Sequence, residues 1–474
     1  MPTYAKDIYN QYNTMPVSEL VDYYQEHQEL ITRMPHQIKT IGVYYHGLSH
    51  GGLERVISLL IPVWLRAKYK IVLLTEDEPS PEDFPYPQET VRVVLPCETA
   101  GIQNRLLALE EAFLLHHIDV FIHNDWMDYK LLPEMLLIKR HHIPFILYTH
   151  GQFSVIYRYY NAFSSQSHRV FSLCDLVLTL SDVNRRFYQM CGCRCRVIQN
   201  PIAPELMTVQ PNKSADDNHT VVWVGRFSSE KRPHDALQVI KHVSKELSDV
   251  RLMMLGTGSE AETESLKKYC TDLDLDDRVV FCGHQSDLAK YYSSAAALLM
   301  TSDTEGYPNV LIEAKAHGRA IVMYHLPDLT LTKSGLGVVT APVGKISALA
   351  DELIGALRDA DLRHRLEEET IESFREFVSY DQQALWREIF TELETGTRET
   401  YKIEPEKGRI GRTEREGAES VRESENVKQL LPLLLRDFEF ACKRSQKAME
   451  TYPDFRVGKA VLRLPRMVKH LLKR

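Results

Sequence analysis

The sequence lacks the features that mark several large classes of protein. Its eight cysteines in 474 residues show none of the spacing of a secreted disulfide framework. The opening MPTYAKDIYNQYNT has no basic segment followed by an apolar run, so we expect no signal peptide. No apolar run approaches the roughly 20 residues that a transmembrane helix requires. These absences predict a cytoplasmic protein with reduced thiols.

An excess of basic residues is also missing. The chain has 57 Lys and Arg against 65 Asp and Glu, a net charge of −8, which argues against a general nucleic-acid binder. The charge is unevenly distributed, because residues 455–474 contain seven basic residues and no acidic one, so the first 454 residues carry −15. With 44% apolar and 26% charged residues, the composition is that of a globular protein and excludes a disordered or collagen-like chain.

Short apolar runs alternate with helical stretches from about residue 39. A first series of strands is predicted at KTIGVYYHG, YKIVLLTED, VRVVLP, DVFIHND, IPFILYTHG, DLVLTLS and CRVIQN. A second series is predicted at TVVWVGR, VRLMMLG, RVVFCGH, ALLMTSD and AIVMYHL. Apolar strands separated by helices indicate parallel sheets covered on both faces. The predicted fold class is α/β, with two doubly wound Rossmann-like domains facing a cleft, where ligands bind beyond the carboxyl ends of the strands.

Composition also predicts where the parts of the chain begin and end. The polar stretch QPNKSADDNH is typical of a linker between the two domains, and 15 of the 31 residues 396–426 are charged, as in a solvated linker. In order, the predicted parts are an N-terminal helical segment (1–37), an N-terminal Rossmann-like domain (38–209), a C-terminal Rossmann-like domain (218–380), a closing helix (381–395), a charged linker (396–426) and a helical extension with a basic amphipathic tail (427–474).

The strongest candidate site is TSDTEGYPNVLIEAKAHG, residues 301–318. A strand ends near Ser302, and a helix begins around Pro308, because proline is favoured at the first helical position. Glu305 then lies in the loop, and Glu313 lies more than one turn into the helix. One carboxylate can hold sugar hydroxyls and the other a ribose. The alternative is that both are ordinary surface glutamates.

The start of the same helix offers a site for a diphosphate. The first N–H groups of a helix have no partner within it, and they lie at the positive end of the helix dipole. We expect the N–H groups of Asn309, Val310 and Leu311 to be free and to point into the cleft. An anionic ligand would then be bound by backbone groups as well as by side chains.

A second candidate site is VVWVGRFSSEKRP, where a buried strand ends at Gly225. Arg226 and Lys231 emerge from the loop that follows. The guanidinium of Arg226 is a planar fork and the ammonium of Lys231 a compact charge, and both suit a diphosphate. Two solvated surface cations are the alternative, but their place after the first strand of the second sheet favours a function.

Glycines follow the first strand of the first domain, in YYHGLSHGGLERVI. Gly51 and Gly52 open a helix, where the missing side chains let backbone approach a ligand. The pattern is not GxGxxG, and no acidic residue ends the second strand at the expected spacing, so NAD binding is disfavoured. A tight turn without a ligand is the alternative.

Three further residues at strand ends have a candidate role. His150, in YTHG, points toward the cleft, although a chain with 19 histidines contains many that are structural. Gly256 and Gly258, in LGTGSE, can approach a nucleotide, and a simple β-turn explains them equally well.

Two sequence patterns could suggest a metal site, and neither has the features of one. DLDLDD, residues 272–277, lies between a helix and a strand and not at a strand end, so it is interpreted as a solvated turn. Cys191, Cys193 and Cys195 form CxCxC, which lacks the paired spacing of zinc sites. We expect no metal and no cofactor.

Taken in this order and at these strand ends, the elements resemble the retaining GT-B glycosyltransferases of the group 1, glycogen-synthase-like type. The resemblance extends over about residues 40–394, and it implies that 38–209 is an acceptor domain and 218–380 a nucleotide-sugar domain. EGYPNVLIEA matches the family's Glu-x7-Glu motif, GRFSSEK its phosphate-binding Arg and Lys, HGG followed by ER its glycine loop, and VIQNPI its interdomain crossing.

The resemblance implies a role for each candidate residue. Glu313 would hold the ribose, Arg226 and Lys231 the diphosphate, and His150 the sugar or the acceptor. Glu305 and the backbone of residues 306–310 would hold the transferred sugar. The backbone residues are Gly306, Tyr307, Pro308, Asn309 and Val310. Gly51 and Gly52 of the glycine loop would also contact the donor. The implied catalytic residues are Glu305, His150, Arg226 and Lys231. The acceptor hydroxyl would attack from the face that the nucleotide leaves, with retention of configuration and without a metal.

The basic tail suggests the kind of acceptor. FRVGKAVLRLPRMVKHLLKR spaces its apolar residues near helical periodicity with basic residues between them, which suits an anionic membrane surface, although Pro465 would interrupt a helix. A solvated terminus, or a helix packed on the acidic body, is the alternative. Membrane contact would serve a lipid-linked acceptor, such as those of bacterial surface polysaccharide assembly.

The prediction is therefore a retaining glycosyltransferase that is peripheral on the inner face of the cell membrane. The sequence EGYPN favours a UDP-hexose or UDP-N-acetylhexosamine donor and a glycan or lipid-linked acceptor. One competing hypothesis is a catalytically inactive GT-B partner subunit. The presence of all four charged site residues argues against it, and these are Arg226, Lys231, Glu305 and Glu313. Another is a sugar-nucleotide epimerase, which would need neither an acceptor nor a membrane tail.

Overall fold

The computed structural model describes residues 3–32, 36–49, 51–97, 100–124, 128–155, 167–285, 287–326, 329 and 336–395. The predicted charged linker and the helical extension with its basic tail lie outside these ranges. Within them the chain forms two compact units. The first extends to Gln199 and resumes at Gln382, and the second is Asn200–Asp381.

The first unit is built on a seven-stranded parallel sheet with the strand order β3-β2-β1-β4-β5-β6-β7. Its strands are β1 (Thr40–Tyr44), β2 (Lys70–Thr75), β3 (Val91–Val94), β4 (Val120–His123), β5 (Phe145–Tyr148), β6 (Leu176–Thr179) and β7 (Cys195–Val197). Its helices are α1 (Ala5–Thr14), α2 (Val17–Glu26), α3 (Gly52–Arg66), α4 (Ile102–His116), α5 (Leu131–Arg140), α6 (Ser167–Phe171) and α7 (Asp182–Met190). The central strands β1, β4, β5 and β6 are buried throughout, as expected for a sheet covered on both faces.

The second unit repeats the plan with six parallel strands in the order β10-β9-β8-β11-β12-β13. Its strands are β8 (Thr220–Val224), β9 (Arg251–Leu255), β10 (Val279–Gly283), β11 (Ala297–Met300), β12 (Ala320–Tyr324) and β13 (Val338–Ala341). Its helices are α8 (Pro233–Val243), α9 (Glu260–Asp272), α10 (Ala289–Ser294), α11 (Asn309–Ala316), α12 (Ile346–Arg358) and α13 (Ala360–Val378). The predicted pair of doubly wound parallel-sheet domains is confirmed.

The polar stretch 210–219 is part of the second unit. Ser214 is buried, and its hydroxyl accepts a hydrogen bond from Arg363 Nε at 2.9 Å. Arg363 also donates to the carbonyl oxygens of Ala215 and Asp216, each at 3.0 Å. The chain therefore crosses between the units at Gln199–Asn200, before the stretch that composition identifies as a linker.

The last described helix, α14 (Gln382–Thr395), belongs to the first unit. The ring of Trp386 packs edge-on against Trp64 of α3, with the ring centroids 5.0 Å apart. Glu394 accepts a hydrogen bond from the backbone N–H of Ile38 at 2.7 Å. Buried aromatic surface thus brings the chain back onto its first sheet after the second unit is complete. Among the described residues, no helix is long and apolar enough to cross a membrane.

Candidate functional site

Two loops of the second unit lie side by side because their strands are neighbours. β8 pairs with β11, so residues 225–232 and 301–308 leave the same edge of the sheet, where the strand order reverses. Thr301 fixes the two loops, since its hydroxyl donates to the carbonyl oxygen of Lys231 at 2.8 Å and accepts from Trp223 Nε1 at 3.0 Å. The N–H of Asp303 also donates to the carbonyl oxygen of Glu230 at 2.9 Å.

The fixed loops bring together two of the predicted site residues. Lys231 Nζ lies 2.6 Å from Glu305 Oε1 and donates a hydrogen bond to it. The Glu305 side chain is 9% exposed and that of Lys231 is 22% exposed. This charge-assisted hydrogen bond lies largely out of contact with water, and it fixes the position of the ammonium beside the carboxylate.

Arg226 has a different environment. Its side chain is 76% exposed, and Nη2 donates to Glu230 Oε1 at 3.1 Å. The same carboxylate oxygen accepts from the hydroxyl of Ser228 at 2.6 Å. Burial alone would raise the pKa of Glu230, but the Ser228 hydrogen bond and the neighbouring charge of Arg226 hold it below its usual range. Arg226 is therefore an exposed guanidinium tethered by an ionised carboxylate.

The helix that follows Glu305 begins one residue later than predicted. Pro308 is the N-cap, with ψ of 109°, and Asn309 is the first residue of α11. The expectation that Leu311 has a free N–H is wrong, because this group donates to the carbonyl oxygen of Pro308 at 3.1 Å. The helix start closes with a tight turn, which takes one of the donors that we assigned to a ligand. Gly306 and Tyr307 lie in the loop before the cap, where burial raises the pKa of the Tyr307 phenol.

Glu313 lies in the second turn of α11 and is buried, with 6% of its surface exposed. Its Oε2 accepts a hydrogen bond from the hydroxyl of Tyr292 at 3.1 Å. The Tyr292 ring stacks on His317, with centroids 5.3 Å apart, and His317 Nδ1 lies 2.8 Å from the Glu313 carbonyl oxygen. Sequence reasoning missed Tyr292, which orients the Glu313 carboxylate, because no motif connects α10 to α11, and it also missed the contact of His317 with the Glu313 backbone.

Gly256 has a structural explanation. Its φ is +133°, and a β-carbon there would overlap the carbonyl oxygen of Gly225 and lie 2.9 Å from its carbonyl carbon. The ends of β8 and β9 therefore approach each other only because residue 256 is glycine. The close packing of β9 against the loop that carries Arg226 explains why residue 256 is a glycine, and contact with a nucleotide is not needed to explain it.

The glycine loop of the first unit is also closely packed. Gly51 is the N-cap of α3, and a β-carbon at this position would overlap the Glu54 carboxylate. Gly52 is the first residue of the helix. The side chain of Glu54 occupies the space beside Gly51, so the tight-turn explanation accounts for this glycine. Donor contact by Gly51 and Gly52 stays a prediction.

His150 follows β5 in the first unit, and its ring is held by two neighbours. Nε2 lies 3.0 Å from Asn124 Oδ1, and the ring centroid is 3.9 Å from that of Tyr148. Burial lowers the pKa of His150 to about 3, so the imidazole is neutral near pH 7. A neutral ring offers a hydrogen bond to a ligand but no positive charge.

A buried ionic cluster at the same sheet edge was not predicted. Arg105 of α4 is 1% exposed and bonds Glu134 of α5, and its Nη1 lies 2.9 Å from Glu76 Oε1. Glu76 also accepts from Lys130 Nζ and from the Tyr44 hydroxyl, each at 2.6 Å. Burial alone would raise the pKa of Glu134, but the charge of Arg105 lowers it to about 2. The cluster ties the ends of β1 and β2 to two helices.

Comparison with known protein families assigns a match to each unit. Residues 208–373 match the family "Glycosyl transferases group 1", and residues 50–206 match "Glycosyltransferase Family 4". The group 1 match, over residues 208–373, contains Arg226, Lys231, Glu305 and Glu313. The fold and the sequence of both units thus point to the same class of protein.

Three proteins illustrate how similar this chain is to known glycosyltransferases and to solved structures. An uncharacterized glycosyltransferase of Haemophilus influenzae is 33% identical over 153 residues, covering 32% of this chain and 42% of that protein. An N-acetylgalactosaminyltransferase of Campylobacter jejuni, whose name specifies a diphospho-undecaprenol substrate, is 24% identical and covers 60% of this chain and 80% of that protein. The Anabaena protein HepE, solved with UDP and glucose, has a TM-score of 0.60 and 16% identity, covering 76% of this chain and all of the neighbour.

These matches establish the GT-B fold. The chain spans 42% to 43% of the length of the first curated relatives that it matches. Their names include an N-acetyl-alpha-D-glucosaminyl L-malate synthase and a lipopolysaccharide core biosynthesis glycosyltransferase, so the names indicate different products.

Proposed function

We propose that this chain, whose residues 208–373 match the group 1 glycosyltransferases, transfers a sugar from a nucleotide-sugar to a glycan or lipid-linked acceptor, with retention of configuration, in bacterial surface polysaccharide biosynthesis. We propose a UDP-hexose or a UDP-N-acetylhexosamine as the donor. The EGYPN sequence after β11 supports a UDP-sugar, as does the UDP bound to the Anabaena neighbour.

The observation that carries this proposal is the contact between Lys231 and Glu305. The ammonium and the carboxylate are 2.6 Å apart, so a diphosphate that binds Lys231 lies beside Glu305. The hydroxyls of a sugar attached to that diphosphate are then within reach of the carboxylate. Glycosyl transfer from a nucleotide-sugar requires a cation beside the leaving diphosphate. It also requires a hydrogen-bond acceptor for the sugar hydroxyls at the same place.

The proposed mechanism needs no protein nucleophile and no metal. Lys231, joined by Arg226, stabilises the negative charge that develops on the departing diphosphate. The acceptor hydroxyl attacks the anomeric carbon on the face that the diphosphate leaves and gives its proton to the departing phosphate oxygen. Glu313, oriented by Tyr292, holds the ribose of the nucleotide.

The configuration of the product tests the proposal. With an α-linked UDP-sugar and a glycan acceptor, we expect the first product to carry an α-glycosidic bond, as measured by the anomeric ¹H coupling. A β-linked product would contradict retention. UDP-sugar isomerisation without acceptor would identify an epimerase, and a folded protein that leaves every donor intact would identify an inactive partner subunit.

We further propose that the enzyme is cytoplasmic and peripheral on the inner face of the membrane, held there by residues 455–474. Seven basic residues interleaved with apolar ones support this proposal, because each contributes about 1 kcal/mol near an anionic surface. Deleting residues 455–474 is expected to abolish cosedimentation with vesicles that contain an anionic phospholipid, whereas neutral vesicles bind neither form. Equal binding of the full chain and the truncated chain would exclude this role of the tail.

A further inference from the structure

We propose that Asn124 is a positioning residue that fixes the tautomer of His150, leaving Nδ1 as the open atom of the imidazole and making it a hydrogen-bond acceptor. The proposal concerns three residues at neighbouring strand ends of the first unit. Tyr44 ends β1, Asn124 follows β4, and His150 lies two residues beyond β5.

The orientation of the Asn124 amide is determined by a backbone carbonyl. Asn124 is buried, with 2% of its surface exposed, and its Nδ2 lies 3.0 Å from the carbonyl oxygen of Tyr44. The backbone N–H of Asn124 donates to the same oxygen at 3.1 Å. A carbonyl oxygen can only accept, so the NH₂ group must face Tyr44 and the amide oxygen must face away from it.

The amide oxygen determines in turn which ring nitrogen of His150 is protonated. Asn124 Oδ1 lies 3.0 Å from His150 Nε2, and an amide oxygen has no proton to give. Nε2 must therefore carry the proton and donate it. In a neutral imidazole the other nitrogen, Nδ1, is then unprotonated and has a lone pair.

The environment keeps the ring in this form. Burial lowers the pKa of His150, so the imidazolium, in which both nitrogens donate, is not populated near neutral pH. Nδ1 is buried and has no hydrogen-bond partner among the residues that the structure describes. A buried acceptor without a donor is unfavourable, and a ligand that donates a hydrogen bond there removes this penalty.

These contacts define the chemistry that His150 accepts. Nδ1 binds a hydroxyl or an N–H group, and it does not bind a phosphate oxygen, which can only accept. Resting on the proposed function, this assigns a sugar hydroxyl of a substrate to His150 and excludes a diphosphate as the partner of Nδ1. Asn124 touches no substrate in this scheme and acts through the ring.

The protonation state can be measured directly in the free, full-length protein. Long-range ¹H–¹⁵N NMR of ¹⁵N-histidine-labelled protein distinguishes a protonated from an unprotonated ring nitrogen, and the signals of His150 are assigned by their loss in His150→Gln. We expect a protonated Nε2 and an unprotonated Nδ1 at pH 7. A protonated Nδ1, or a rapid mixture of both tautomers, in the wild-type protein would overturn the proposal.

Variants separate positioning from general stability. Asn124→Ala removes the acceptor at Nε2 and is expected to give mixed tautomers, whereas Asn124→Asp keeps an acceptor there and is expected to keep Nε2 protonated. The matched control is Asn184→Ala, because Asn184 is equally buried and bonds the backbone of Gly151 and Phe153 without touching the ring. Asn184→Ala should leave the His150 signals unchanged. A wild-type tautomer in Asn124→Ala would also overturn the proposal.

The same measurement keeps this proposal distinct from the proposed function. The tautomer is read without substrate, so it can be correct in a protein that transfers no sugar. Conversely, a working transferase in which Nδ1 is protonated would contradict only the assignment of Asn124. In an active enzyme, Asn124→Ala is expected to raise the KM of the hydroxyl-bearing substrate more than tenfold relative to Asn184→Ala. Equal KM values in the two variants would contradict the positioning role.

Discussion

Replacing Glu305 with glutamine is expected to lower the rate of sugar transfer by roughly 10²-fold or more, while UDP binds several-fold more tightly than to the wild-type protein. The rate falls because the amide holds the sugar hydroxyls less strongly and gives no negative charge beside the developing oxocarbenium ion. In the wild-type protein the Lys231 ammonium lies 2.6 Å from a carboxylate oxygen of Glu305. UDP binding improves in the variant because Lys231 has lost this counter-ion and interacts more strongly with the diphosphate. An interaction of this kind is worth about 1 kcal/mol, or roughly fivefold in Kd.

Two variants control this prediction. Lys231→Ala should also abolish transfer but should weaken UDP binding, because it removes the cation and not its counter-ion. Glu368→Gln is the matched control for a Lys–Glu pair, since Glu368 lies 2.8 Å from Lys213 on the exposed surface of the same unit, and it should change neither quantity. Initial rates and calorimetric Kd values for UDP give both readouts. Wild-type transfer in Glu305→Gln, or weaker UDP binding, would contradict the site assignment.

Replacing Gly256 with alanine is expected to lower the free energy of unfolding by roughly 3 kcal/mol. An alanine at φ +133° is strained, and its β-carbon would overlap the carbonyl oxygen of Gly225, which is backbone and cannot rotate away. The strand ends of β8 and β9 must then separate, and the loop carrying Arg226 moves with them. Urea denaturation followed by circular dichroism measures the change.

Gly355→Ala is the control for the loss of a glycine. Gly355 lies inside α12, and apart from its chain neighbours and the backbone of its own helix, no atom of the described residues lies within 4 Å of a β-carbon placed there. Alanine in a helix interior is favourable by about 0.5–1 kcal/mol relative to glycine, so this variant should be slightly more stable than the wild type. Equal urea midpoints for Gly256→Ala and the wild type would show that the strand ends do not need this glycine.

The sheets were predictable because their central strands are buried on both faces and appear in the sequence as continuous apolar runs. All twelve predicted strands are present. The thirteenth, Val338–Ala341, was missed because it is a four-residue edge strand and most of its residues are only partly buried. Its apolar run is too short and too exposed to be distinguished from a loop.

The candidate site was predictable only where its residues are close in sequence. The spacing of Glu305 and Glu313 placed one in a loop and the other in the second turn of a helix, and the structure has both there. Contacts between distant segments left no trace in the sequence. Tyr292 orients Glu313 from another helix, and Asn124, in the loop after β4, contacts His150, which is 26 residues away in sequence.

The helix start at Pro308 was misplaced for a local reason. Proline suits both the N-cap and the first helical position, because its missing N–H has no helical partner in either. The structure places it at the cap, and the resulting turn uses the N–H of Leu311. The sequence pattern therefore identified the start of the helix to within one residue but overestimated the number of N–H donors left for a ligand.

The central claim is that the Lys231–Glu305 site transfers sugars from a nucleotide-sugar, and nucleotide release tests it most directly. The full-length protein is incubated with UDP-glucose, UDP-galactose, UDP-N-acetylglucosamine, UDP-N-acetylgalactosamine and GDP-mannose, each with and without an undecaprenyl-diphosphate-linked acceptor. We expect release of UDP from at least one UDP-sugar, accelerated by the acceptor and abolished in Lys231→Ala. Release of no nucleotide from any donor by the folded protein, or release that Lys231→Ala leaves unchanged, would contradict the claim.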